Sequence, residues 1–193
     1  MPVSRRHAPK DEYSLFEKLA SKGVAVAPFA TSVSAIGVVG IPATLVIRGG
    51  QSPQRMMIAA YGDVVPAIAR ATREAKSFFM QKHVTGHEVA CGVIMDGRKI
   101  MPLVPVEVIP RLLHESGAWH LKSVTQDAVQ ALAKAAHTAV GAKRHSCVRM
   151  VVDDGMPYVT GVDVEPALAR TSLFMRSAKL TGLTEEEIKE FAL

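Results

Sequence analysis

Several short stretches of this chain carry residue types that could do chemistry. Residues 48–52 read Arg48, Gly49, Gly50, Gln51, Ser52. Glycines let backbone amides approach an anion closely, and Arg48 can supply positive charge. Pro53 stiffens the loop and removes an amide donor. Downstream, Gln81, Lys82 and Val84 lead through Gly86 to Glu88. A carboxylate at 88 accepts two hydrogen bonds and donates none, while the Gln81 carbonyl can accept from an amino group. The last fifty residues hold Arg149, Asp163 and Glu165, then Ser172 and Leu173. Asp163, a lone carboxylate, is by itself a poor metal site. Ser172 and Leu173 open a helical stretch, whose N-terminus suits an anion; an ordinary N-cap is the equal alternative. His114 and His120 fall in a loop at a spacing that matches no recognised ligand pattern. His83, His87 and His145 read as structural or surface groups.

The elements that must position these residues are legible from periodicity and punctuation. Residues 11–22 space Tyr13, Leu15, Phe16 and Leu19 as a helix, ended by Gly23. A strand over 24–29 follows. Residues 43–47 and 56–60 read as strands around the glycine loop. Residues 64–76 form an amphipathic helix expected to bury Val65, Ile68, Ala69 and Ala75. Strands are expected at 78–84, 88–94 and 100–109, the last two joined by an Asp96, Gly97 hairpin turn. Residues 110–123 lack periodicity and read as a loop, and 128–140 as an alanine-rich helix. A second hairpin turns at Asp153, Asp154 and Gly155. Thr184 and Glu187 form a capping box that starts a short last helix.

The chain has 193 residues, 48% hydrophobic and 21% charged, an ordinary globular balance. Aromatic content is only 5%, so the core relies on aliphatic residues and methionine. The longest apolar run, 24–46, is broken by Pro28, Gly37, Gly40 and Pro42, which excludes a membrane span there. No apolar stretch follows Arg5 and Arg6, so the start does not read as a signal peptide, and a cytoplasmic location is expected. Cys91 and Cys147 are the only cysteines and read as buried thiols. A net charge of +5 allows a polyanion partner. The basic residues are scattered and aromatic stacking residues are few, which argues against nucleic acid.

This order of elements resembles the ATP-grasp ligases, most closely the D-alanine–D-alanine ligases. Residues 11–28, ending Lys22, Gly23, Val24, Ala25, Val26, Ala27, Pro28, look like the helix and strand that open the family's central domain. The family's preceding substrate domain has no counterpart, so the chain resembles the C-terminal two-thirds of such a ligase. Residues 79–89 resemble the family's adenine hinge, with Glu88 at the ribose position, Gln81 and Lys82 in place of two usual acids, and Val84 in the hinge. A plain hairpin is the equal alternative for this segment. The strand and loop through Arg48, Gly49, Gly50 and Ser52 resemble the phosphate-binding strand and loop, with Lys10 a further phosphate ligand. In the tail, Gly161 stands at a family metal-ligand Glu and Asp163 at the Asn. Either Val148 or Arg149 stands at the metal-ligand Asp. Arg149 resembles the family's catalytic strand arginine, and Ser172 and Leu173 its substrate-binding residues. The family's longer closing loop is cut short over 108–123.

The resemblance implies an α+β, ATP-grasp-like chain of two small lobes, each an antiparallel or mixed sheet with flanking helices, divided as residues 1–76 and 77–193. It implies ATP and Mg²⁺ as cofactors, held between the loop at Gly49 and Gly50 and the strand pair ending at Asp163. The implied activity is phosphorylation of a carboxylate followed by attack of an amine, with D-alanine as substrate, in peptidoglycan precursor synthesis. The loss of two of three metal ligands sets a rival beside it: a catalytically degenerate nucleotide-binding or assembly subunit. A homodimer, or a partner chain supplying the missing domain, is a further implication.

Overall fold

The computed structural model describes residues 12–32, 36–48, 54–74, 77–97, 99–108 and 123–192. They form two compact units, one of residues 27–84 and the other of the described residues before 27 and after 84. The division differs from the expected break at 76/77. Strand 77–82 forms its ladder with strands of the first unit, and the opening helix packs into the second.

The first unit is a four-stranded antiparallel sheet in the order β1 (Phe29–Ala30), β4 (Ser77–Lys82), β2 (Ala43–Arg48), β3 (Gln54–Ile58). Strand periodicity puts Ala43, Leu45 and Ile47 on one face of β2, with Ile58 and Met80 beside them across the ladders. The helices α2 (Ile36–Val39) and α3 (Val64–Glu74) complete this core with Val39, Val64, Ala67 and Ala71. The buried stripe of α3 is therefore rotated from the expected one. Val65 is 73% exposed, Ala69 is exposed and Ile68 only borders the core. The small Ala67 and Ala71 side chains let the helix lie close to the sheet. Thr44, Val46, Phe79 and Gln81 lie on the opposite sheet face.

The second unit is a five-stranded antiparallel sheet: β6 (Lys99–Pro102), β5 (His87–Asp96), β8 (His145–Asp153), β9 (Met156–Asp163), with β7 (Val106–Glu107) also paired to β5. The single strand expected over 100–109 is thus two short ones. Pro102 ends the first, and Leu103 turns inward with 2% exposure. Likewise the expected strand at 24–29 reduces to a bridge from Val26 to Val159 and the short β1.

Helix α4 (Ser123–Val140) buries Val129, Ala133, Ala136 and His137 and packs against β5, β8 and β9. Helix α1 (Glu12–Ser21) lies on α4 through Leu15, Phe16 and Leu19. Its Lys18 Nζ donates to the Val140 carbonyl at 3.0 Å, a cation at the negative end of α4. The sheet's other face packs on α5 (Leu173–Leu180) and α6 (Glu185–Ala192) through Ala90, Ile94, Cys147, Phe174, Met175, Ala178 and Ile188. The central strand β8 is therefore covered on both sides, which explains its near-continuous apolar sequence.

Candidate functional site

Arg149 breaks that apolar run. It is the only exposed residue from Ser146 through Val152, and the ladder shows which way it points. Arg149 is opposite Ala90 on β5 and Gly161 on β9, Cys147 is opposite Gly92 and Asp163, and Val151 is opposite Glu88. Paired residues of an antiparallel ladder share a face, and so do residues two apart on a strand. Glu88, Arg149, Gly161 and Asp163 therefore stand on one face of one sheet. It is the face that α5 and α6 cover farther along, at Cys147, Ala90 and Ile94. Glu88, Arg149 and Asp163 are exposed beyond that cover.

The arginine is seated by a glycine. A β-carbon on Gly161 would stand 2.9 Å from a terminal guanidinium nitrogen of Arg149 and 3.4 Å from its Nε. The guanidinium thus lies across the backbone of Gly161, where any side chain would have to displace it. The ladder also slips between Arg149 and Met150: Arg149 pairs with Gly161 and Met150 with Val159, leaving Thr160 as the extra residue of a bulge. Of the two residues left open for the family's metal-ligand Asp, Arg149 is the one on the face of Gly161 and Asp163; Val148 points to the α4 side and is fully buried.

Asp163 ends β9. Its Oδ1 accepts the Glu165 amide at 3.1 Å, which turns the chain toward Pro166. Its charge acts on the neighbouring Cys147, whose thiol burial and then Asp163 push up to about 12, with Arg149 opposing. Cys91 is raised still further by burial. Neither thiol offers a thiolate nucleophile.

Ser172 is the N-cap of α5, its Oγ accepting the Met175 amide at 3.2 Å, so the capping alternative is realised. The geometry leaves its hydroxyl hydrogen uncommitted to that bond. Leu173 is half-buried beside the α5–α6 core. Arg170, just before the cap, pairs with Glu185 at 3.0 Å, as Lys179 does at 3.4 Å.

Sequence reasoning missed the groups that hold α5 in place. Ser177 is fully buried: its Oγ accepts the Gly92 amide at 2.9 Å and donates to the Val104 carbonyl at 2.6 Å. Thr181 Oγ1 accepts the Val104 amide at 2.8 Å. A β-carbon on Gly92 would stand 2.7 Å from Leu103 Cδ1 and 3.2 Å from Ser177 Oγ, so the glycine admits the helix. The available signal was a serine on the buried stripe of an amphipathic helix, facing a glycine in a long apolar strand. At Gly86, in the turn between β4 and β5, a β-carbon would collide with the Val152 carbonyl oxygen. It is the close approach of that turn to β8, beside Glu88, that requires glycine.

The other predicted residues fall elsewhere. Gln81 and Lys82 end β4 in the first unit; Gln81 is 8% exposed, its Nε2 without a hydrogen-bond partner, and Lys82 is exposed. Val84 is the last residue of that unit and half-buried. Arg48 ends β2. Lys10, Gly49, Gly50, Ser52, His114 and His120 lie outside the described residues.

The residues present do not fit the paired Mg²⁺ ions that the resemblance implied. Among the described residues no three His, Cys, Asp or Glu side chains converge as a ligand set. The pair Arg149 and Gly161 offers a guanidinium and a glycine beside Asp163 and no second carboxylate, and a fixed positive charge repels a divalent cation.

No family model matches the chain. It is similar to the D-alanine–D-alanine ligase of Leptospira interrogans, 26% identical over 159 residues, covering 74% of this chain and 45% of that protein. The D-alanine–D-alanine ligase of Clostridium botulinum strain Eklund 17B is 23% identical over 152 residues, 73% of this chain and 50% of that one. The chain thus spans about half the length of the curated relatives it matches. Among solved structures it superposes on the Bacillus anthracis D-alanine–D-alanine ligase complexed with ATP with a TM-score of 0.74 and 17% identity, over 94% of this chain and 62% of that one. The Coxiella burnetii enzyme gives a TM-score of 0.77 and 15% identity, over 94% and 55%. With these matches and its two antiparallel sheets, the chain has the ATP-grasp fold of the D-alanine–D-alanine ligases, over the C-terminal part of their length.

Proposed function

We propose that the chain binds ATP and belongs to the ATP-dependent carboxylate–amine ligase type, with D-alanine as the amine-bearing substrate and peptidoglycan precursor synthesis as its setting. The observation that carries this reading is the exposed row of Glu88, Arg149 and Asp163 on one face of an otherwise buried sheet, with α5 starting from Ser172 in the same unit. A carboxylate accepts donors such as sugar hydroxyls, a guanidinium holds phosphate oxygens in a fork, and a helix N-terminus favours an anionic group. In that type of reaction a carboxylate oxygen attacks the γ-phosphorus and ADP leaves. The amine then attacks the acyl phosphate and expels phosphate. Arg149 would stabilise charge developing on the transferred group.

A specific observation favours a second reading, a nucleotide-binding subunit that no longer ligates: the paired Arg149 and Gly161 offer no carboxylate on the face that the resemblance gives to the metal-assisted step.

Thermal unfolding with ATP, ATP plus Mg²⁺, and D-alanine, beside a phosphate-release assay, separates the two. Ligand at about a hundred times its Kd stabilises by ~2.7 kcal/mol, a rise of roughly 5–11 °C for a chain of this size. Release that needs both D-alanine and Mg²⁺ supports ligation. A rise with ATP, indifferent to Mg²⁺ and without phosphate release, supports the second reading. No response to any nucleotide sinks both.

A further inference from the structure

The misfit of metal and residues has a positive side. A divalent cation in a nucleotide site neutralises phosphate oxygens and holds them against the protein. Arg149 can meet both needs. It rises from the central strand of a sheet packed on both faces, so its backbone is fixed. Its guanidinium rests on Gly161, the one neighbour on β9 without a side chain to compete for that space. The described residues place no carboxylate in a salt bridge with it. Of the acids on its face, Asp163 lies one residue pair away and gives Oδ1 to the Glu165 amide. Glu88 lies on β5, opposite Val151. An arginine left exposed inside a strand that is otherwise buried lacks a structural employment, and a planar fork of donors is the group that matches phosphate geometry.

We infer that the guanidinium of Arg149, seated over Gly161, takes the place of a divalent cation, so that this face of the sheet binds the phosphates of an uncomplexed nucleotide. The inference rests on the nucleotide-binding reading above and specifies its ligand: free ATP rather than its Mg²⁺ complex. It also accounts for Gly161 and Arg149 as a pair. A Glu at 161 would compete with phosphate for the guanidinium, and a carboxylate at 149 would leave nothing to hold an anion without metal.

Isothermal titration of the full chain with ATP, once in EDTA and once in excess MgCl₂, tests it. Binding in EDTA at least as tight as in MgCl₂ is expected. Arg149→Ala should weaken ATP binding in EDTA about tenfold or more, the loss of charge-assisted hydrogen bonds to phosphate, and Arg149→Lys should recover part of it. Gly161→Glu should likewise weaken binding in EDTA, because the new carboxylate pairs with the guanidinium; the three atoms nearest to a β-carbon there all belong to the flexible end of Arg149, so folding should survive. Far-ultraviolet circular dichroism of each variant without ligand checks that it does.

Wild-type binding about tenfold or more tighter in MgCl₂ than in EDTA would overturn this inference and leave the nucleotide reading standing. So would Arg149→Ala binding as well as wild type, or Mn²⁺ held by the free protein at Asp163, seen by electron paramagnetic resonance and lost in Asp163→Asn. Absence of ATP binding in both buffers overturns the nucleotide reading, and this inference with it.

Discussion

His137 and Ser146 share a fully buried hydrogen bond, with 2.8 Å between Nδ1 and Oγ, and the other ring nitrogen of His137 has no partner. His145 lies close by, stacked obliquely on Phe174 at 5.2 Å, with a buried and unpartnered Nδ1. Burial pushes both imidazoles below the ordinary value of 6.5, and each is further affected by charged neighbours: His145 acts on His137, while Asp163 and Glu165 partly offset the effect at His145. The folded chain therefore resists protonation at sites that the unfolded chain protonates freely. Stability is fully present above about 6.5 and is lost as pH falls from there through the lower folded values. Urea denaturation at pH 7, 6 and 5 should show a falling midpoint. His137→Leu should flatten the slope, and lower stability at pH 7 by about 1–3 kcal/mol because Ser146 loses its partner. A midpoint independent of pH over this range would mean that the two rings gain charge in the folded chain without cost.

At the scale of elements, local punctuation and periodicity placed both hairpins, the capping box and the long helix, because those signals act within a few residues. Thr184 and Glu187 do bond reciprocally, at 2.8 and 3.2 Å. The face of α3 was misjudged by one residue, since a stripe of alanines and valines does not itself say which side meets a sheet; Met80 and Leu45, far away in sequence, decide it. The role of Ser177 was illegible for the same reason: its partners, Gly92 and Val104, are supplied by another hairpin. Ser177→Ala leaves a buried amide and a buried carbonyl without that hydroxyl, and should cost about 1–3 kcal/mol in chemical denaturation. Because α5 carries Ser172, the same change should also loosen the start of that helix. Hydrogen exchange at Phe174–Ser177 should rise more than in α4. Equal changes in both helices would show that Ser177 supports the core at large and not the seat of α5.

The candidate site, at the scale of the whole molecule, was partly legible. Glu88, Arg149 and Asp163 were found through motif order, but that Glu88 shares a face with the other two follows only from the pairing of the β8–β9 hairpin with β5, far upstream in the sequence. The unit boundary escaped the sequence because the chain crosses between units twice, at 26/27 and 84/85, with no linker composition at either crossing. Each unit has its own apolar cluster: Leu45, Ile47, Ile58 and Met80 in one, Ile94, Phe174, Met175 and Ile188 in the other. Separate cores permit separate opening. Leu45→Ala removes a side chain with 0% exposure from the centre of the first cluster and should cost that unit about 2–5 kcal/mol. In native-state hydrogen exchange the amides of β2 and β4 should then lose protection, while those of β5 and β8, whose ladder lies wholly in the other unit, keep theirs. If protection falls by the same factor in both ladders, the two cores open as one cooperative body, and the contact division at 27 and 84 does not mark an energetic one. If only the first unit opens, changes confined to it leave the Arg149 face intact, so an ATP response that survives Leu45→Ala would have to come from the second unit's sheet.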